Sequence, residues 1–441
     1  MLKKMIGTVL QKRRRKNALQ HERHAVHLAL PPTAAEDVIR KLVKAGFEAY
    51  LVGGAVRDLL LGVRPKDFDV ATNATPEQIT ALFRRSRIIG KRFPIVHVLA
   101  GAETVEVSTF RSGQSRQNTH GRIMKDNAYG TLEQDAVRRD FTCNALYYDV
   151  IHHQVIDFHD GIKDIAAKKL VMIGDPSARY QEDPVRMLRA VRLAGKLGFV
   201  VDADTAAPIT ELADLLKHEP VSRLFDEMLK ILFSGNALGC LKQIDELGLN
   251  SRIHPILTAL QNVQDKPMIL KSLQQTDWRL QQGKSVSMGF ILAAMFWEDV
   301  AARWTSKQEY MPYTAALASA VSELRDELER GWGMPQHYSA TMREIWLLQA
   351  NFDSRRGAKP FKFLAQPRFR AAYDFLLIRA EFGEVPQELA DWWTAFQHGN
   401  EQTRNNMVSA QNNTPKSPNE APSKRKRKPR KRKPKPKAVE E

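Results

Sequence analysis

LVGGAVRDLLLGVRPKDFDV, Leu51 to Val70, is the stretch on which the reading of this chain turns. Glu48 to Val52 reads as a short apolar strand running into Gly53 and Gly54, and Val56 to Leu61 reads as the opening turns of a helix. Two adjacent glycines let backbone N–H groups approach an anion, and a helix start leaves N–H groups unpaired with positive partial charge. The turn is therefore a candidate phosphate cradle, with Arg57 as a fork-shaped neighbour; a plain strand-to-helix turn is the alternative. Gly62 closes the helix, Pro65 sets the next turn, and Lys66 to Val70 reads as a strand on which Asp67 and Asp69 share a face while Phe68 and Val70 face the core. Adjacent carboxylates repel unless a cation separates them, and their hard oxygens suit Mg²⁺. A lone Asp-x-Asp is common in turns; the glycine pair, the arginine and the acid pair together give the block its meaning.

Working outward, Thr33 to Ala45 has helical spacing with Thr33 as N-cap and Gly46 as stop, and Pro76 begins an amphipathic helix reaching Arg85. Ile95 to Ala100 and Thr104 to Phe110 form a hairpin across Gly101 and Ala102. Glu106 lies on the opposite face from Val105 and Val107, so it joins the aspartates if these strands are neighbours. Arg111 to Gly130 is polar, with Gly113, Gly121 and Gly130, and reads as a mobile loop beside the site. Glu133 to Thr142 reads as a helix, and Leu146 to Phe158 as a hairpin around His152 and His153, which face solvent. Beyond Asp164 the strand signal ends and helical periodicity takes over, giving an α+β chain: a mixed-sheet head on an all-helical neck and body.

The formal charge of +17 is not spread along the chain. Residues 1 to 16 hold seven Lys or Arg and no acid, and residues 401 to 441 hold thirteen against four Glu, so the ends account for all but one of the excess charges. Such runs do not collapse into a core; their natural partner is a polyanion, bound without reading sequence and weakened by salt. Neither end has the apolar face that a lipid surface requires. Cys143 and Cys240 are too few for a disulfide framework or a zinc site, no apolar run is long enough to span a bilayer, and no secretory segment follows the basic N-terminus. A soluble, cytoplasmic protein is expected.

With RRDFTCNAL (Arg138 to Leu146), DFHDGIKDI (Asp157 to Ile165) and EDPVRMLRAVRLAGKLGF (Glu182 to Phe199) following in order, the chain resembles the class II nucleotidyltransferases, which comprise the bacterial poly(A) polymerases and the CCA-adding tRNA nucleotidyltransferases. The resemblance is close over Tyr50 to Phe233 and implies a DNA polymerase β-like head. It implies two-metal transfer of a nucleotide from ATP to an RNA 3′-hydroxyl, with Mg²⁺, or Mn²⁺ in its place, held by Asp67 and Asp69. Asp140 enters as a third essential acid, completing the metal site or fixing the ribose, and Gly53, Gly54, Arg57, Arg138 and Arg139 as triphosphate contacts. By position Asp183 and Arg186, three residues apart on one helix face, resemble the family's base-reading pair, with Arg189 and Arg192 continuing the basic face.

Asp with Arg answers adenine's amino donor and ring acceptor, yet cytosine presents the same order, so the pair alone does not separate ATP from CTP. Ile88 to Val98 (IIGKRFPIVHV) resembles the stretch by which poly(A) polymerases differ from CCA-adding relatives, and a sequence-blind polycation suits an enzyme working on varied, single-stranded RNA 3′ ends. Poly(A) addition, marking RNA for processing or decay, is the expected function; CCA addition and a non-catalytic RNA-binding adaptor are the alternatives. The expected layout is a basic arm at 1–32, a head at 33–168, a neck at 169–235, a body with an RNA-binding C-terminal region at 236–398 and a polybasic tail at 399–441. Within the body, Val221 to Phe233 reads as a neck helix and Trp278 to Trp297 as core, and the basic residues of Arg355 to Arg370 lie among aromatics as a candidate RNA surface.

Overall fold

The computed structural model describes residues 22–26, 28, 33–90, 94–112, 116–117, 123–125, 128–249, 255–260, 262–332 and 334–412. Residues 1–21 of the basic arm, Lys91 to Phe93, the loop glycines Gly113 and Gly121 and the polybasic residues 413–441 lie outside these. Two compact units divide the chain: residues 1–261 with 273–285, and residues 262–272 with 286–441.

The first unit is organised on β1 (Glu22–Ala25), β2 (Ala49–Val52), β3 (Asp69–Thr72), β4 (Ser86–Ile89), β5 (Ile95–Ala100) and β6 (Glu103–Thr109). A small ribbon, β7 (Arg116–Gln117) and β8 (Ile123–Lys125), is followed by β9 (Leu146–Asp149) and β10 (Gln154–Asp157). The eight sheet strands lie in the order β1-β10-β9-β2-β3-β6-β5-β4. Every pair is antiparallel except β3 with β6, where Val70 faces Val107. A parallel pair needs a long crossover, and here it runs through the helix Pro76–Leu82, β4 and β5. That helix starts on a capping box between Thr75 and Gln78, with Pro76 in the first turn. Ala35, Val38, Ile39 and Leu42 form the buried face of the helix Ala34–Lys44, while Val52, Ala71, Phe110, Ala136 and Tyr147 join in a separate buried cluster.

Several sequence expectations change. β1 lies inside the supposed arm and pairs with β10, so the sheet already includes Glu22–Ala25, ahead of residue 33. Strand β3 starts at Asp69, leaving Asp67 in the turn before it. The helix read over Glu133 to Thr142 spans Leu132–Arg138 and gives way to a 3₁₀ turn, Thr142–Asn144. The single helix read over Glu182 to Phe199 is two, Pro176–Glu182 and Val185–Leu197, because Pro184 drives Asp183 into extended backbone at φ −148°, ψ 92°. Strands also recur beyond Asp164: β11 (Lys169–Leu170) and β12 (Val200–Val201) form a short parallel pair. The helix Val185–Leu197 packs closely against Ala237–Glu246, since a Cβ on Gly195 would stand 2.5 Å from Cys240 Cα.

The second unit is helical, centred on Phe352, Phe363, Phe369, Trp393 and Phe396. The aromatics of Arg343 to Phe382 are thus largely core, and among the interleaved cations Arg355, Arg368 and Arg370 meet Glu388, Glu344 and Asp374. The helix Glu401–Asn412, with Val408 buried, occupies the start of the supposed tail. In the first unit Trp278, expected in a core, is 53% exposed beneath Lys284, whose Nζ lies 4.1 Å from the ring centroid.

Candidate active site

The sheet register lines up the chemistry. Val52 pairs with Tyr147 on one side and Asp69 on the other, and because Val70 faces Val107, Asp69 stands level with Glu106 on β6. Glu106 pairs with His97, and His97 with Arg87. Residues directly abreast share a face, so Asp69, Glu106 and His97 form one polar row across the parallel junction, continuing the hydrophobic Tyr147 and Val52. His97 Nε2 lies 3.4 Å from Glu106 Oε1. Asp67 and Asp69 are exposed, and the Asp69 carboxyl is pushed up to about 6, first by the walls that desolvate it, then by Glu106 and Asp67, with Arg139 opposing. Three acids crowd one another, and among the described residues Arg139 is the cation that opposes them at Asp69. Glu106 thereby becomes the third acid of the row, and the sequence signal for it was its place in the alternation of β6.

Gly53 turns the chain at φ 72°, a conformation that favours glycine. Its own N–H is taken by Leu146 O, so anion-binding capacity falls to the first turn of the helix Gly54–Leu60, whose N–H groups have no intrahelical partner. Arg139 stands over this turn: a Cβ on Gly53 would lie 3.4 Å from its Nη1. Its Nε and Nη2 are tied to Asp135 Oδ2 at 3.2 and 3.0 Å, and Nε also meets the Tyr147 hydroxyl at 3.0 Å. Asp135 also binds Arg138 Nε at 2.9 Å. Burial alone would raise the Asp135 carboxyl, but Arg139 and Arg138 hold it well below the usual range. Asp135 was not singled out from the sequence, although D-x-x-R-R places an acid three and four residues before the two arginines on one helix face.

Two assignments are corrected, those of Arg57 and Asp140. Arg57 is 5% exposed and gives its guanidinium to Asp58 and, at 2.6 Å, to Asn144 Oδ1, so it braces the turn instead of facing it. Asp140 is not one of the charges around Asp69; it is enclosed, accepting from Arg189 Nε at 2.8 Å, Asn144 Nδ2 at 3.2 Å and its neighbour Phe141 N at 2.9 Å. Burial would raise that carboxyl, and Arg189 with these hydrogen bonds drives it well below the usual range. Asp183 and Arg186 do not pair with each other: Asp183 takes Arg223 at 2.7 Å, and Arg186 Nη1 donates to Glu182 at 2.6 Å and Arg179 O at 2.7 Å. Arg179, Arg223 and Asn144, for which no local sequence signal exists, act across separations of 40, 40 and 87 residues.

Among the described residues no three His, Cys, Asp or Glu are grouped closely enough to hold a metal ion by themselves. Such a row differs from a structural metal site and fits one that substrate oxygens complete.

The sequence matches the model of the poly A polymerase head domain over residues 49–171, that of a probable RNA- and SrmB-binding site of polymerase A over 198–260, and that of the polymerase A arginine-rich C-terminus over 309–433. The Haemophilus influenzae protein named poly(A) polymerase I is 41% identical over 397 residues, covering 86% of this chain and 87% of that one. A Geobacillus CCA-adding enzyme is 36% identical over 261 residues, 59% of this chain and 62% of the relative. In three dimensions the Bacillus stearothermophilus CCA-adding enzyme in complex with CTP aligns with a TM-score of 0.56 at 25% identity, covering 85% of this chain and 82% of that one. The head is common to both kinds of relative, but the sequence similarity that spans most of the chain and the match to the arginine-rich C-terminus are to the polymerases, and the chain belongs to the poly(A) polymerase family.

Proposed function

We propose that this chain is a polynucleotide adenylyltransferase that transfers AMP from ATP to RNA 3′ ends without a template, releasing pyrophosphate. The observation that carries the reading is the acidic row at the parallel β3–β6 junction, open to solvent beside the diglycine turn. Asp67 and Asp69, with Glu106 alongside, would hold Mg²⁺ or Mn²⁺; this donor set fits, being hard oxygens whose mutual repulsion Arg139 only partly offsets. When bound, such an ion lowers the pKa of an attacking hydroxyl and stabilises the leaving phosphates. The helix start after Gly54 and Arg139 Nη1 orient the triphosphate, giving the developing charge fixed donors in place of water. Arg138 supports the same wall through Asp135.

Asp183 and Arg186 present the base-reading edge, each held by a different partner, so that Arg186 Nε and Nη2 remain available as donors and the Asp183 carboxylate as acceptor. Arg189 and Asp140 position that helix rather than touching the nucleotide. The basic ends supply sequence-blind attraction to single-stranded RNA. Among the described residues no helix is long and apolar enough to cross a membrane, consistent with work on RNA in the cytoplasm.

Incubation with Mg²⁺, a generic RNA and each nucleotide in turn is expected to lengthen the RNA by many residues with ATP alone. Addition that stops after two C and one A, on tRNA only, contradicts this and assigns CCA addition. Incorporation of no nucleotide, with RNA still bound, assigns the adaptor.

A further inference from the structure

Two partly buried ion pairs meet at one amide. Arg57, on the helix that follows the diglycine turn, gives Nε and Nη2 to Asp58 Oδ1 at 2.9 and 2.7 Å, and its Nη1 donates to Asn144 Oδ1 at 2.6 Å. Asn144 Nδ2 donates in turn to Asp140 Oδ1 at 3.2 Å, while Asp140 Oδ2 accepts from Arg189 Nε at 2.8 Å and from Arg189 Nη2. Arg189 lies on the helix Val185–Leu197, one turn beyond Arg186. An unbroken chain, Asp58, Arg57, Asn144, Asp140, Arg189, therefore runs from the turn that takes the triphosphate to the helix that reads the base.

The residue type at the centre is dictated by its neighbours. A guanidinium on one side needs an acceptor and a carboxylate on the other needs a donor; a side-chain amide offers both and adds no charge. Only one orientation of the amide serves, since the reverse would set NH₂ against NH and C=O against a carboxylate. An Asp there would face Asp140 as a second buried acid. A Leu would leave Arg57 Nη1 without its acceptor and Asp140 Oδ1 with the Phe141 N–H alone, in a site where Arg57 and Asn144 are 5% and 9% exposed.

We propose that Asn144 is a positioning residue for nucleotide selection: it fixes the separation between the triphosphate turn and the base-reading helix, so that one ATP engages both at once. This rests on the reading of those two sites given above. A rigid span between two subsites raises affinity for the ligand that reaches both, and it rejects one whose base and phosphates do not fit together. Asp67 and Asp69 are not members of the chain, so the transfer step itself does not depend on it.

The test uses the full-length protein with an RNA primer and Mg²⁺, supplied with ATP or CTP. Asn144→Leu is expected to raise the KM for ATP about tenfold and to narrow the ATP-over-CTP preference about as much, with kcat at saturating ATP within about threefold of the parent. Asn144→Asp is expected to lose as much, and the exchange Asn144→Asp with Asp140→Asn, which restores an amide beside an acid at the same net charge, to recover most of the loss. A merely structural role predicts no such recovery and a fall in kcat without a change in preference; either result overturns the proposal. The exchange variant serves if Asn144→Leu does not fold. Arg186→Ala, with GTP as a third nucleotide, separates the two readings, since guanine presents the reverse donor and acceptor order: if it leaves the ATP-over-GTP preference unchanged, the base-reading assignment falls and the proposal with it. If Arg186→Ala removes the ATP-over-GTP preference while Asn144→Leu leaves both KM for ATP and the ATP-over-CTP preference unchanged, the bridge alone is overturned.

Discussion

Asp69 and Asp140 lie in the same unit and are treated in opposite ways. Asp69 is exposed, crowded by Glu106 and Asp67, and its carboxyl is pushed up to about 6; Asp140 is enclosed by the donors Arg189, Asn144 and the Phe141 N–H, and its carboxyl is driven well below the usual range. A folded chain gains nothing from leaving three acids in mutual repulsion, so the open row is explained by what it binds. The closed network, by contrast, has no capacity to spare. Within this family site, charge left unsatisfied marks contact with substrate, and charge fully satisfied marks the frame that holds the contact in place.

The comparison is broken most severely at the open row. Asp67→Ala with Asp69→Ala is expected to cut AMP incorporation by on the order of 10³-fold or more while RNA binding, followed by filter retention, stays within about twofold. At the closed network the effect is on folding: Asp140→Ala takes the carboxylate partner from the half-buried Arg189 and should cost about 1–3 kcal/mol in urea unfolding at pH 7. Because the folded pKa of Asp140 is depressed, that stabilisation is present above the ordinary carboxylate pKa and is lost as pH falls through its folded value, so the deficit of the variant should shrink in acid. Glu106→Gln keeps shape and removes one charge of the row; AMP incorporation is expected to fall about ten- to a hundredfold, with the Mg²⁺ requirement shifted to higher concentration.

The smallest effect sharpens the contrast. Asp69→Asn should raise stability by less than about 1 kcal/mol at pH 8, since the side chain is solvent-exposed. The sign follows from the raised pKa: the native protein's favourable linkage is complete below about 3.8 and is lost as pH rises through about 6, so the gain of the variant should vanish near pH 4.

Much of the head was legible because its signals are local. Gly53 with Gly54, Pro76 after Thr75, and the alternation of Thr104 to Phe110 each state a turn, a cap or a strand within a few residues, and the structure has them. Asp140 could be picked out by resemblance but its partners could not, since Arg189 is 49 residues away and nothing in RRDFT names it. Asp183 was misread for a local reason that was visible: Pro184 follows it and denies it a place inside one continuous helix. In the second unit the basic residues of Arg355 to Arg370 suggest a surface, but which aromatics among them are core is not local: Phe352, Phe363 and Phe369 pack on Trp393, which only the fold brings near.

The central claim, that the open acids act on the nucleotide through a divalent cation, is tested most directly by crystals grown with Mn²⁺ and a non-reactive ATP analogue, using anomalous scattering to locate the metal. The account predicts a peak about 2.1 Å from oxygens of both Asp67 and Asp69 and from a phosphate oxygen. A peak elsewhere, or the two carboxylates turned apart with the nucleotide bound, contradicts it.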